Sequence, residues 1–270
     1  MIETLNKYKL ALKACNYAER TKRLYLKKFT AFLKYFSGNV AELTGAEVNE
    51  YIAAQEANPA QTIIICAAIK AYYTNCCDKT IKTLKVIRPE PEPEILTENE
   101  VFLFLNSCQT AEIKALFSIV YYLGLRRQEI LNIYVSDIKG GFLTIRKTKG
   151  GDRVLKIPSH LQIIIDEYFK IWNQKYLSLT AQDRPKKLLF NFTPGEIRQL
   201  FINQMMIAGL DTPATLHSLR HSCATHLYKK GVDIIAIKNL LGHKSLNTTL
   251  IYTKYGAQGA ELPELTGKEL

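Results

Sequence analysis

Between Thr215 and Tyr255 the chain places four of its five histidines, an arginine in His-x-x-Arg spacing (His217, Arg220), a Gly-His pair (Gly242, His243) and a tyrosine, Tyr252, nine residues beyond His243. A histidine on a helix is ordinarily a satisfied core or surface residue, and an isolated tyrosine is ordinarily packing. The combination indicates more. Arginine and histidine donors that converge on one point make a site for an anionic oxygen, and a tyrosine hydroxyl beside them is a candidate nucleophile.

The partner class follows from charge. The 270 residues carry a formal charge of +11, which suits a polyanion, either nucleic acid or an acidic membrane surface. With 47% hydrophobic and 10% aromatic residues, the chain has enough apolar material for one large domain or two small ones. None of the six cysteines is in C-x-x-C spacing and no Cys/His metal-ligand spacing occurs, so they read as buried free thiols in a reducing compartment. No apolar run is long enough to span a bilayer. The expectation is a soluble cytoplasmic protein that uses no cofactor and no metal.

The elements that must position these groups fall into two blocks. Residues 1–87 read as an all-helical unit. One helix carries Tyr25, Phe29, Phe32, Leu33 and Phe36 at helical spacing, with Lys22, Arg23, Lys27 and Lys28 on a basic exposed face. Ser37-Gly38-Asn39 ends it. Thr44 with Glu47 forms a capping box for a helix over 43–54, and Pro59 opens another to Cys77. Residues 2–14 add one more. The segment 88–94, with prolines at every second position, cannot continue a helix and reads as an extended linker. In 95–256, Thr97 and Glu100 cap a helix, and an apolar one follows from Ala111 to Leu123. Arg126 then opens the next helical segment with Glu129 on the same face. Alternation in 142–147 and 154–157 around Lys149-Gly150-Gly151-Asp152 predicts a β-hairpin, with a third strand near Val135–Ile138. Helices over 161–176, 194–208, 217–230 and 234–241 complete the block. The tail 257–270 sets leucines among glutamates.

The stretches LHSLRHSCATHLYKKG and IKNLLGHKSLNTTLIYTKYG, with YYLGLRRQEILNI upstream, resemble the boxes of the tyrosine recombinase family, the phage-type integrases and Xer-like site-specific recombinases. The resemblance covers most of the chain. It implies a mainly α fold with a small antiparallel β-sheet, in two lobes. These would be an N-terminal helical (SAM-like) core-binding domain over 1–87 and a C-terminal α+β catalytic domain over 95–256, closing on a duplex as a clamp. It also implies DNA recombination without ATP or metal, through a 3′-phosphotyrosyl intermediate and a Holliday junction. Arg126 and Arg220 match the catalytic arginines, His217 and His243 the two histidines that donate to the scissile phosphate, and Tyr252 the nucleophile; Glu129 would orient Arg126. His221 and His226 match no catalytic position and read as structural. Tyr255 is the competing tyrosine, at the wrong spacing from His243.

Lys149 matches the hairpin lysine that would protonate the leaving 5′-oxygen. The turn is shorter than the family's, which keeps Lys147 as an alternative. On the same resemblance the partners are double-stranded DNA with an inverted-repeat site and three further copies of the chain, the tail docking on a neighbouring subunit. No membrane is involved, and the need for an accessory activator stays open. The short length resembles Xer-type enzymes more than integrases with an arm-binding domain. A type IB topoisomerase, sharing the chemistry but relaxing supercoils as a monomer, is the nearest alternative. A non-catalytic DNA-binding protein explains the charge but not the ordered residues.

Overall fold

The computed structural model describes residues 1–36, 39–87, 92–146, 152–175, 177, 180 and 187–256. The chain divides into two compact units, Met1–Pro91 and Glu92–Leu270. Lys147, Lys149, residues 88–91 of the proline-rich segment, Ser37 and Gly38 of the first turn, and the tail 257–270 lie outside the described residues.

The first unit is built from α1 (Ile2–Ala14), α2 (Glu19–Tyr35), α3 (Gly45–Ala53) and α4 (Pro59–Cys76). Local chemistry sets the starts. The Thr44 hydroxyl accepts from the Glu47 N–H and Glu47 accepts from the Thr44 N–H, while Asn58 caps α4 and Pro59 takes a position that needs no donor. The apolar stripe of α2 turns inward, so that Phe29, Phe32 and Leu33 are buried among Tyr8, Tyr51 and Tyr72. Phe29 stacks on Tyr72 with ring centroids 4.4 Å apart, and the Tyr8 hydroxyl donates to the Ala68 carbonyl at 2.7 Å. The polar face is less uniform than its sequence suggests. Arg23 and Lys27 are exposed, but Lys22 and Lys28 are half-buried, and Lys22 pairs with Glu19 at 2.9 Å because the two are one helical turn apart.

In the second unit, α5 (Glu98–Asn106), the buried α6 (Ala111–Tyr122) and the four-residue α7 (Arg127–Ile130) lead into three antiparallel strands, β1 (Ile138–Lys139), β2 (Phe142–Ile145) and β3 (Arg153–Lys156). Leu143, Ile145 and Leu155 point into the core. Then come α8 (Ser159–Lys175), α9 (Pro194–Ile207), α10 (Leu216–Lys229), α11 (Ile234–Leu241) and α12 (Asn247–Gly256). Helix α6 packs against both α8 and α10, and α10 in turn carries α11 and α12.

Two details differ from the sequence expectation. The third strand near Val135–Ile138 is mostly a 3-10 turn over Val135–Asp137, because the Asp137 carboxylate takes the Tyr134 N–H at 2.9 Å and closes the chain on itself; only Ile138–Lys139 pair with β2. Helix α12 has a sequence (NTTLIYTKYG) of weak helix formers, and packing on α10 and α11 overrides that weakness. No described helix is long and apolar enough to cross a membrane. All six cysteines are free thiols; Cys66, Cys76 and Cys223 are buried and the others half-buried.

Candidate active site

The site is assembled around the C-terminal end of α11. A helix leaves its last carbonyls without partners inside it. Here Gly242, at φ +62°, turns the chain left-handed, and the N–H groups of Gly242 and His243 close on the Asn239 and Lys238 carbonyls at 3.1 Å each. The next three carbonyls are each taken by a different arginine. Arg153 donates to Leu240 at 3.0 Å, Arg220 to Leu241 at 2.8 Å and Arg126 to Gly242 at 3.2 Å. A cation at a helix C-terminus is favoured by the helix dipole as well. A side chain at residue 242 would stand 2.8 Å from the Arg153 guanidinium, so glycine is needed there for space as well as for its backbone angle.

One carboxylate ties the arginines together. Glu129, on α7 one turn beyond its N-cap Arg126, accepts from the Arg126 backbone N–H at 2.8 Å and from its guanidinium at 2.9 Å. Its two oxygens also receive both terminal nitrogens of Arg153, at 3.0 and 2.9 Å, a bidentate pair. Burial alone would raise the Glu129 pKa, but the hydrogen bonds from Arg153 and Arg126 outweigh it and hold the carboxyl below its usual range. Arg220, 3% exposed, lies 4.0 Å from the same carboxylate and donates to the Gly124 carbonyl. Gly124 itself sits at φ +60° against Leu241, where a Cβ would come within 2.5 Å. Burial, then the neighbouring Arg126 charge, lowers the Arg220 pKa to about 10, which leaves it a cation at neutral pH.

His243 is fixed from both sides. Arg220 can only donate, so the 2.8 Å contact makes His243 Nε2 an acceptor, and Nδ1 then carries the hydrogen that it gives to the Thr249 hydroxyl at 2.9 Å. Desolvation, followed by the charges of Arg220 and Arg126, holds its pKa at about 4, in keeping with a neutral ring. This differs from a histidine poised to donate to an incoming oxygen, because its outer nitrogen is already engaged by Arg220. His217 stands on the open first turn of α10, at the edge of a cleft of about 320 Å³ that Arg127, Arg198 and Phe201 also line. Desolvation of its ring, then Arg220, lowers its pKa too.

Tyr252 comes from α12 and is 1% exposed, its ring packed with Ala224, Ile237 and Leu241. Burial raises its pKa to about 12, against the opposing influence of Arg220 and Arg126. Its hydroxyl lies 3.0 Å from His221 Nδ1. The spacing of the motif gave His221 a structural part, so this contact is new; its signal was the four-residue step from His217, which sets both rings on one face of α10, with centroids 6.1 Å apart. Arg153 was also missed, since nothing local links it to Glu129. His226 is a structural residue, bonded through Nδ1 to the Tyr121 hydroxyl at 2.8 Å. Of the other groups marked by the sequence, Lys147 and Lys149 lie outside the described residues, and Tyr255 falls within α12.

Comparison with known proteins supplies the family. The phage integrase family model matches residues 94–258. The tyrosine recombinase XerA of Pyrococcus horikoshii is 35% identical over 198 residues, covering 71% of this chain and 68% of that protein. Among solved structures, a lambda integrase (residues 75–356) dimer bound to a core site superposes with a TM-score of 0.73 at 19% identity, over 99% of both chains. The XerH recombinase bound to its difH substrate gives 0.72 at 22% identity, over 93% of this chain and 80% of that one. The chain belongs to the phage integrase family of tyrosine recombinases.

Proposed function

We propose that this protein is a site-specific DNA recombinase that cuts and rejoins duplex DNA through a covalent bond between Tyr252 and a 3′-phosphate. The observation that carries the reading is a surplus of positive charge around one buried carboxylate. Three guanidiniums, Arg126, Arg153 and Arg220, face one carboxylate, Glu129, which leaves two cations unbalanced (three minus one). Buried charge without a counterion is costly, and planar guanidinium donors match the non-bridging oxygens of a phosphodiester. A phosphate arriving there would meet Arg126 and Arg220 as its own charge grows in the transition state. Attack by the Tyr252 oxygen forms the phosphotyrosyl bond and releases a 5′-hydroxyl, so the phosphodiester energy is kept for the reverse step. Lys149, or Lys147 in its place, would give the leaving oxygen its proton.

Residues 1–87 then serve as the core-binding domain, 88–94 as the linker and 95–256 as the catalytic domain. Arg23 and Lys27 would contact phosphates, with Lys28 and Lys22 beside them. Exchange between two inverted-repeat sites in a tetramer, through a Holliday junction, accounts for the similarity to Xer enzymes and for the acidic, leucine-bearing tail as a link between subunits.

The test is a pool of nicked duplexes of randomised sequence, in which the released fragment diffuses away and traps the covalent complex. The wild type should give a denaturant-stable protein–DNA adduct whose DNA, once sequenced, supplies the target. Tyr252→Phe should bind the pool and give none. An adduct that survives in the Phe variant moves the nucleophile, with Tyr255 first in line. Strand exchange between two labelled duplexes carrying the recovered sequence separates recombination from relaxation of supercoils.

A further inference from the structure

The phenol that attacks phosphorus must lose a proton, and the arginines around Tyr252 can only donate. Among the described residues, the group within hydrogen-bond reach of its hydroxyl is His221 Nδ1 at 3.0 Å. We infer that His221, resting on the recombinase reading above, is the proton acceptor for Tyr252. His217 and His243, the two histidines of the motif, are placed otherwise. Both His243 nitrogens are engaged, by Arg220 and Thr249, and the His217 ring is a further turn along α10, 6.1 Å from that of His221.

The geometry favours this direction of transfer. His221 is half-buried on α10, beside the α12 residue that it would serve, with ring centroids 5.7 Å apart. Burial, then His217 and Arg220, keeps its pKa at about 4, so the ring is neutral, and in the tautomer with its hydrogen on Nε2 the Nδ1 lone pair accepts the phenolic hydrogen. In the DNA-free protein the pair is at rest, because a base this weak does not ionise a phenol whose own pKa lies near 12. A phosphodiester bound beside Arg220 brings an anion to the cations that suppress His221. Its arrival makes the imidazole more basic when the substrate is in place, which couples deprotonation to DNA binding.

In the forward step the Tyr252 O–H bond breaks and its proton goes to His221 Nδ1. The oxygen's electron pair forms the O–P bond, the P–O5′ bond breaks, and the 5′-oxygen takes a proton from the general acid assigned to Lys149. In the return step the 5′-hydroxyl gives its proton back to the now neutral group assigned to Lys149 and displaces the tyrosine, and the imidazolium gives its proton back to the departing phenolate. No oxidant, metal or nucleotide enters the balance.

The experiment uses the full chain and the same nicked pool. His221→Asn keeps a hydrogen-bonding atom near the place of Nδ1 but removes the base, so it separates holding the hydroxyl from deprotonating it. Its thermal midpoint and duplex binding should stay near wild type, while the rate of adduct formation falls on the order of 100-fold. Putting a fluorinated tyrosine at position 252 makes the phenol more acidic and should recover about 10-fold of that loss, with little change in a His221 background. Adduct formation by His221→Asn at the wild-type rate overturns the inference, as does a faster rate, which would make His221 a restraint on the tyrosine. Failure of the fluorinated tyrosine to narrow the gap also overturns it. Wild-type protein that forms no adduct removes the recombinase reading itself, and this inference with it.

Discussion

The aromatic core beneath α2 and the charged cluster around Glu129 both take side chains out of water, Arg126 only in part, yet opposite physics holds them. Phe29, Phe32, Tyr8 and Tyr72 gain by leaving water, and almost any apolar group of similar volume would gain nearly as much. Arg126, Arg153, Arg220 and Glu129 lose hydration and recover it only through hydrogen bonds of fixed length and direction. The first arrangement tolerates substitution of kind, the second does not. Where this chain clusters charge it also places Tyr252 and three of its histidines, so the expensive form of burial coincides with the candidate site.

The largest effect that tests this contrast comes from paired replacements. Phe29→Ala should destabilise the first unit by about 3–5 kcal/mol, and Phe29→Leu should restore most of that loss. Glu129→Ala should cost the second unit a similar ~3–5 kcal/mol, since it strands the arginines, but the isosteric Glu129→Gln should restore little function. Adduct formation by Glu129→Gln should fall about 100-fold while DNA binding holds or tightens, because a negative charge has gone. Region-resolved hydrogen exchange and single-turnover cleavage read the two quantities. A Gln variant with wild-type cleavage would mean that the cluster is ordinary packing.

Acid gives the next effect. All five histidines lie beyond residue 159 and none in the first unit. His221 and His243 have pKa values lowered to about 4, so between the ordinary imidazole value and that figure the unfolded chain holds protons that the folded one does not. Stability from these groups is therefore complete above about 6.5 and is lost as pH falls toward their folded values. The first unit's depressed groups are carboxylates, Glu19 and Glu47, whose contribution begins to be lost only as pH falls below the ordinary carboxylate value of 4.5. Hydrogen exchange from about pH 7 to about pH 5 should show the second unit weakening while the first stays level. Parallel weakening of both would dissolve the distinction.

The smallest effect concerns the surface. Neutralising Lys22, Arg23, Lys27 and Lys28 should lower the salt slope of duplex binding by about 0.9 for each phosphate that these side chains no longer neutralise. Lys22 should contribute least, because Glu19 already holds it. An unchanged slope would make this face a solvated one.

Local signals explain which parts were readable in advance. The capping boxes at Thr44 and Thr97, the stripe of α2 and the Arg126–Glu129 pair all act across three or four residues, and periodicity exposes them. The motif supplied the identities of Arg220, His243 and Tyr252 through family likeness, but not the tautomer of His243, which depends on Arg220 and Thr249 together. Arg153 meets Glu129 across 24 residues and His221 meets Tyr252 across 31, distances at which composition carries no register. Helix α12 was hidden because its own propensity argues against it; tertiary contact decides.

The three arginines that finish α11 have a consequence for the order of events during synthesis. Residues 126, 153 and 220 all leave the ribosome before Leu240, Leu241 and Gly242, the carbonyls they will meet. Until the α11 end arrives, those guanidiniums have no docking point there. Tyr252 follows ten residues after Gly242. Tyr252 is thus among the last groups of the candidate site to be seated in a nascent chain, and a polypeptide interrupted before α11 carries the three arginines without the tyrosine to which the proposed function gives the attack on DNA.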